Sequence, residues 1–299
     1  MQHLELLLRV ERSLALRAAI DRVVVPGSSV LDAGCGTGLL SLWAAKAGAH
    51  VVAVDTIDLS LARELAIANG VADAIEFVTG DLRQVALAGR FDVVLAMIYH
   101  NDPRRDEEVS RLAAEIYERR LRSGGEPVPD GVRYSARGFS WPEQDAERRW
   151  RQFEDSCIRL EESYGLRLGP FAHALRRQPD PTFFPRRRGD GRLESAGALA
   201  LTEPAAFAAI DYRTKEGAYP ETLTLRATTR GTLQAVVWTQ ELSHHGVCLF
   251  RNESVSWVSP SPRLDAGDRC ELAIDREWRH TNVLTPRVLP ATRAPGLDH

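Results

Sequence analysis

Apolar positions along this chain change their period twice. Residues 3–21 place Leu4, Leu7, Leu8, Leu14, Ala15 and Ala18 at helical spacing with Arg and Glu between them, which predicts an amphipathic helix. Pro26-Gly27 ends it. A short apolar strand follows at Ser29–Asp32, then a glycine-rich turn over Ala33–Gly38 opening into a helix at Leu39–Gly48. His50–Asp55 reads as a second strand ending in an acid, 58–69 as a helix and Ile75–Thr79 as a third strand. Phe91–Ile98 has the unbroken apolar run of a strand buried on both faces. Strand and helix in alternation predict a doubly wound parallel sheet.

The texture changes after a helix at 106–122. Ser123-Gly124-Gly125 and Pro127-Val128-Pro129 punctuate the chain, marking a domain boundary near residue 130. A charged helical stretch at 143–178 and a Pro- and Arg-rich link, PDPTFFPRRRGDG, come next. From about 190 onward, β-rich runs alternate with turns: Leu223–Ala227, Leu233–Leu242, Gly246–Phe250 and Val255–Val258. Helical periodicity is nearly absent there, so a β-barrel or sandwich is expected.

Composition narrows the function. A length of 299 residues admits two domains, and 44% hydrophobic against 26% charged residues excludes global disorder. Residues 1–130 carry 14 basic and 19 acidic side chains, and residues 131–299 carry 24 and 22. Neither half has the basic excess of a nucleic-acid-binding domain. No segment reaches the ~18 apolar residues of a membrane span, and Glu5, Arg9, Glu11 and Arg12 interrupt what a signal peptide would keep apolar. Cys35, Cys157, Cys248 and Cys270 are too widely spaced for a metal knuckle and read as reduced thiols. The expectation is a cytoplasmic protein.

The chemistry concentrates at Val30-Leu31-Asp32-Ala33-Gly34-Cys35-Gly36-Thr37-Gly38, between a strand and a helix. Glycines there let a nucleoside lie against backbone with no Cβ in the way. Asp32 precedes the glycines, where it can reach a ligand's ammonium group. The spacing of Gly34, Gly36 and Gly38 suits a ligand without a pyrophosphate. Asp55 ends the second strand, placed for ribose hydroxyls, and Asp81 ends the third, placed for an adenine amino group. Three acids on successive strand ends describe an S-adenosylmethionine pocket.

The stretch VLDAGCGTGLLSLWAAKAGAHVVAVD closely resembles the protein arginine methyltransferase family. Arg12-Ser13-Leu14-Ala15-Leu16-Arg17 resembles its N-terminal helix motif, which implies that Arg12 pairs with the cofactor carboxylate. Glu161-Glu162-Ser163-Tyr164-Gly165 resembles its acidic-Tyr-Gly helix, and LTEPAAFAAIDYRT (201–214) its opening barrel strand. The resemblance implies an N-terminal cofactor-lid helix (1–25), a Rossmann-like methyltransferase domain (26–130) and a β-barrel substrate domain (131–299). It also implies a homodimer formed through an arm at about 143–192.

The departures from that family bear on the acceptor. The family holds a substrate guanidinium between two glutamates after the fourth strand, because a planar cation is best oriented by forked pairing. Here Met97 stands in the first position, and only the run Asp106-Glu107-Glu108 offers a second. The barrel's Thr-His-Trp segment is unmatched. These losses predict a small-molecule or peptide acceptor rather than protein arginine, with Tyr99 and His100 as catalytic residues. His100 would take a proton from the attacking group, although a surface loop role fits it equally. A diverged arginine methyltransferase using Glu107 or Glu108, or a catalytically silent partner subunit, are the alternatives. No metal site is expected: neighbouring residues on a strand face opposite ways, so His244-His245 reads as a pair of turn residues.

Overall fold

The computed structural model describes residues 9–100, 102–140, 198–214, 217, 219–273 and 283–291, with scattered positions between 151 and 167. Most of the arm at 143–192, with Tyr164-Gly165, and the whole of the Pro- and Arg-rich link therefore lie outside the described residues.

Helix α1 (Val10–Val23) buries Leu16, Ala19 and Ile20, whereas Leu14 and Ala18 of the expected apolar face are exposed. The helix is therefore rotated from the face its spacing predicts; Arg17 and Arg22 point to solvent and Arg12 turns inward. Residues 1–8, which the pattern also assigns to this helix, are outside the described set. Five parallel strands follow: β1 (Ser29–Ala33), β2 (His50–Asp55), β3 (Ile75–Thr79), β4 (Phe91–Leu95) and β5 (Leu121–Val128). Helices α2 (Leu39–Lys46), α3 (Ser60–Ala68) and α4 (Glu107–Arg120) connect or flank them. The strand order β3-β2-β1-β4-β5 reverses direction between β1 and β4. Open α/β sheets bind ligands at such a switch point, beyond the carboxyl ends of the strands.

Strand β5 occupies the segment whose glycines and prolines predict a boundary. Its register on β4 shifts between Phe91 and Val93, and Gly124 takes φ +75°. A Cβ on Gly125 would come within 2.8 Å of the Asp92 carbonyl oxygen. The glycines let the edge strand bulge and close up again, so turn-like composition serves a strand.

The second half is antiparallel except for one two-residue pairing at its edge, which is parallel. β6 (Gly131–Ser140), β11 (Ala235–His244) and β12 (Val247–Val258) form its centre. β7 (Leu199–Ala200) and β8 (Ala205–Asp211) pair with β6, and β15 (Val283–Leu284) pairs with β12. β9 (Thr222–Arg226), β14 (Arg269–Ala273) and β16 (Arg287–Leu289) make a second sheet, and β10 (Gly231–Thr232) with β13 (Arg263–Leu264) a short ribbon. The sheets do not close into one continuous barrel among the described residues. The runs Gly246–Phe250 and Val255–Val258 are a single strand, β12. One buried cluster runs from Leu16 through β1 and β4 to Tyr134, Leu242 and Phe250, so the two halves share a core. Trp238 is fully buried within it, its Nε1 donating to Ser256 Oγ at 2.9 Å.

Candidate active site

The turn after β1 needs its glycines. Gly34, Gly36 and Gly38 have φ of +79°, +54° and +77°, values that side chains with a Cβ rarely adopt. A Cβ on Gly34 would also meet Ile98 at 2.6 Å, so the turn packs directly on the segment following β4.

The three acids behave differently. The Asp55 carboxylate accepts from the Gly36 N–H at 2.8 Å and from Thr56 N–H at 2.7 Å, pinning the glycine turn to the end of β2. The Gly80 N–H donates to the Asp55 carbonyl, which brings Asp81 beside it. Asp81 itself accepts from the Arg83 N–H at 2.8 Å. Asp32 lies inward: it is buried, accepts from Ser41 Oγ at 2.6 Å, and burial pushes its carboxyl up to about 6.

Arg12 reaches the same edge from α1. Its guanidinium carbon lies 5.4 Å from the centroid of the Phe250 ring, and Phe250 stacks at 4.6 Å on Tyr99. Burial lowers the Arg12 pKa, with Tyr99 opposing the shift. No carboxylate among the described residues pairs with it, and its Nε is buried without a hydrogen-bond partner. A buried cation left so is costly and calls for an anion.

The loop after β4 is built around a residue that its pattern does not single out. Asp106 is buried and accepts from the His100 backbone N–H, Ser110 Oγ, Tyr134 Oη and Gln240 Nε2. These donors come from the loop, α4, β6 and β11. Burial raises its carboxyl to about 6 against the pull of those four donors. Nearby, Asp102 and the buried Arg104 form an ion pair, and Asp102 also accepts from Ser254 Oγ at 3.1 Å. Met97 is buried. Glu107 pairs with Arg111 at 2.9 Å across one helical turn, a contact of the kind worth ~0.3–0.5 kcal/mol and readily exchanged.

His100 is placed at the carboxyl edge, but its Nδ1 accepts the Asp102 N–H at 3.0 Å. That bond commits the Nδ1 lone pair and leaves the proton on Nε2, so the neutral ring offers a donor and no free base. Tyr99 packs with Arg12 and Phe250 rather than standing beside His100 as a polar pair. His244 and His245, expected to diverge, have ring centroids 4.2 Å apart.

Residues 30–125 match a family model described as a methyltransferase domain. A ribosomal protein arginine N-methyltransferase of Schizosaccharomyces pombe is 43% identical over 79 residues, 25% of this chain and 14% of that protein. Protein arginine N-methyltransferase 1.1 of Arabidopsis thaliana is 30% identical over 175 residues, 52% of this chain and 43% of that protein. Residues 30–125 are a methyltransferase domain similar to those of protein arginine methyltransferases. The match spans less than half the length of either relative. The fold continues further: the Trypanosoma brucei PRMT1 enzyme-prozyme complex with AdoHcy aligns over 90% of this chain and 86% of that one, with a TM-score of 0.63 at 21% identity.

These likenesses overturn the expectation of a small-molecule acceptor. Met97 at one clamp position weighs less than the similarity to several protein arginine methyltransferases in sequence and fold, although a ribosomal protein L11 methyltransferase of Exiguobacterium is also 33% identical over 117 residues. No helix among the described residues is long and apolar enough to cross a membrane.

Proposed function

We propose that this chain is an S-adenosylmethionine-dependent protein arginine N-methyltransferase of a diverged kind. The reading is carried by the likeness of the glycine-turn half to protein arginine N-methyltransferases, which continues as a shared fold over nine-tenths of the chain. We assign residues 1–25 as a cofactor lid, 26–130 as the cofactor domain and 131–299 as the substrate domain.

The residues present fit that cofactor. The buried guanidinium of Arg12, with no carboxylate paired to it among the described residues and its Nε unpartnered, would suit the carboxylate of a methionine moiety. Gly34, Gly36 and Gly38 give backbone without Cβ atoms, Asp55 accepts from ribose hydroxyls, and Asp81 accepts from the adenine amino group. Asp32, buried against Ser41, supports the turn from behind. When bound, the cofactor supplies an activated methyl group and its own leaving group, so the protein contributes position and charge.

The acceptor guanidinium would exchange with Arg111 for Glu107. As the nitrogen–carbon bond forms and the carbon–sulfur bond breaks, one N–H proton leaves the guanidinium. His100 cannot take it through Nδ1, which leaves Glu107 as the acceptor nearest in kind. Asp106 holds the loop in position. Self-association fits the relatives and is tested by light scattering.

Radiolabelled methyl transfer to Arg-Gly-rich peptides is the experiment. Incorporation into arginine that falls ~100-fold or more in Glu107→Gln supports the assignment. Methylation of another side chain, or of arginine unaffected by that substitution, rejects it. Met97 favours one second reading, a silent subunit: AdoHcy would bind, no transfer would occur alone, and adding an active homologue would restore it.

A further inference from the structure

The tight turn joining β11 to β12 brings two imidazoles to a carboxylate from the other half of the molecule. His245 escapes strand alternation because its φ is +48°, in the left-handed region that a histidine seldom adopts, and Gly246 at +76° completes the turn. Both rings consequently face Glu126 of β5. The Nε2 atoms of His244 and His245 stand 3.7 and 3.4 Å from Glu126 Oε2. Ligands ~2.0–2.1 Å from a tetrahedral ion lie ~3.3–3.4 Å from one another, so the spacing already approaches that of a coordination sphere. One potential ligand atom from each residue lies within 4.8 Å of the others.

A second, independent observation points to a ligand. His244 is fully buried, yet neither of its ring nitrogens has a hydrogen-bond partner. A buried polar side chain is ordinarily satisfied, and a lone pair held unpaired beside a carboxylate and a second imidazole is what a metal ion requires. The surroundings hold the group in place. Arg213 Nη2 lies 2.6 Å from Glu126 Oε2, and the His245 N–H donates to Asp130 Oδ2 at 2.8 Å. A carboxylate oxygen has two lone pairs, so accepting from Arg213 leaves one for an ion.

We propose that Glu126, His244 and His245 form a transition-metal site of the zinc class, with a fourth position for water or a further ligand. Two imidazoles and one carboxylate suit a borderline ion over calcium or magnesium, which prefer all-oxygen sites. Glu126 lies on the edge strand of the parallel sheet, whereas the histidines lie on the antiparallel half. The ion would tie the two halves together at a point separate from the glycine turn.

The test is a zinc titration of tag-free, chelator-stripped full-length protein against a chromogenic indicator, with melting curves alongside. One tightly held zinc per chain is expected, weakened at least ~10-fold in His245→Ala and in Glu126→Gln. Zinc should raise the melting temperature of the wild type and not of the variants. His245 is 47% exposed, so its removal leaves the fold intact, and an unchanged metal-free melting curve checks this. Glu126→Gln serves if that check fails. No zinc uptake by the wild type, or uptake of equal affinity in both variants, overturns the proposal.

Discussion

The two sides of the carboxyl edge are built on opposite plans. On the β1–β3 side, backbone makes the site: three left-handed glycines, with Asp55 accepting from three main-chain N–H groups. Such a surface tolerates almost no change, and it lies within the residues, 30–125, that match the methyltransferase domain. On the β4 side, side chains make the site, and the charges there are mostly consumed within the protein. Asp102 holds Arg104 and Asp106 holds four donors, which leaves Glu107 in an exchangeable surface pair. A pocket made of main chain preserves its ligand, whereas one made of side chains can be rewired.

Several substitutions sharpen or break that contrast. The largest effect is expected from Asp55→Ala, which removes both the ribose acceptor and the clasp on the glycine turn. At ~1.5–3 kcal/mol for each charge-assisted bond, AdoHcy binding measured by calorimetry should weaken ~100-fold or more. Unchanged affinity would show that the backbone side does not hold the cofactor.

Asp106→Ala should come next, on stability. It deprives four donors from the loop, α4, β6 and β11 of their acceptor, so a loss of ~3–5 kcal/mol is expected in denaturant melts. A loss below ~1 kcal/mol would mean that the hub is not structural.

Arg12→Ala follows. Losing one charge-assisted contact should weaken AdoHcy ~10- to 100-fold, and unchanged binding would remove α1 from the site.

A smaller effect belongs to Asp32. Its carboxyl is raised in the folded protein to about 6, against ~3.9 when unfolded. The folded state therefore holds the extra proton between roughly pH 4 and 6. This group's destabilisation is complete above pH 6 and is relieved as pH falls through that window. Asp32→Asn should raise the neutral-pH melting temperature by a few degrees, ~1–2 kcal/mol, and flatten this part of the pH profile. A lowered melting temperature at pH 7 would contradict it.

His100→Ala should be the mildest, changing turnover less than ~3-fold, because its ring serves only to accept one backbone N–H. A large fall in turnover with cofactor affinity intact would restore His100 to the chemistry.

The same contrast explains what could be read from the chain. β1 to β4, the glycine turn and the acids at 32, 55 and 81 were legible because their signals are local: apolar runs, glycines and strand-end acids. Strand β5 was hidden by the very glycines that let it approach Asp92. β12 reads as two strands because Arg251-Asn252-Glu253-Ser254 interrupts its apolar run, although the ladder to β11 continues across it. Asp106 is read from the sequence only as part of a possible clamp run at 106–108; its role as a buried hub has no local signal, since its partner Gln240 is 134 residues away. The turn at His245 was equally silent, because nothing in a His-His-Gly sequence announces a left-handed histidine.

The bond from the His100 main chain to Asp106 has a consequence for how such a protein changes over evolutionary time. Asp106 grips the loop by its peptide and not by the side chain at position 100. The side chain at position 100 can therefore change in size and polarity while the loop keeps its path, because the anchor is blind to its identity. Acceptor preference becomes a trait that mutation can explore one position at a time, without each trial being screened first for its effect on folding.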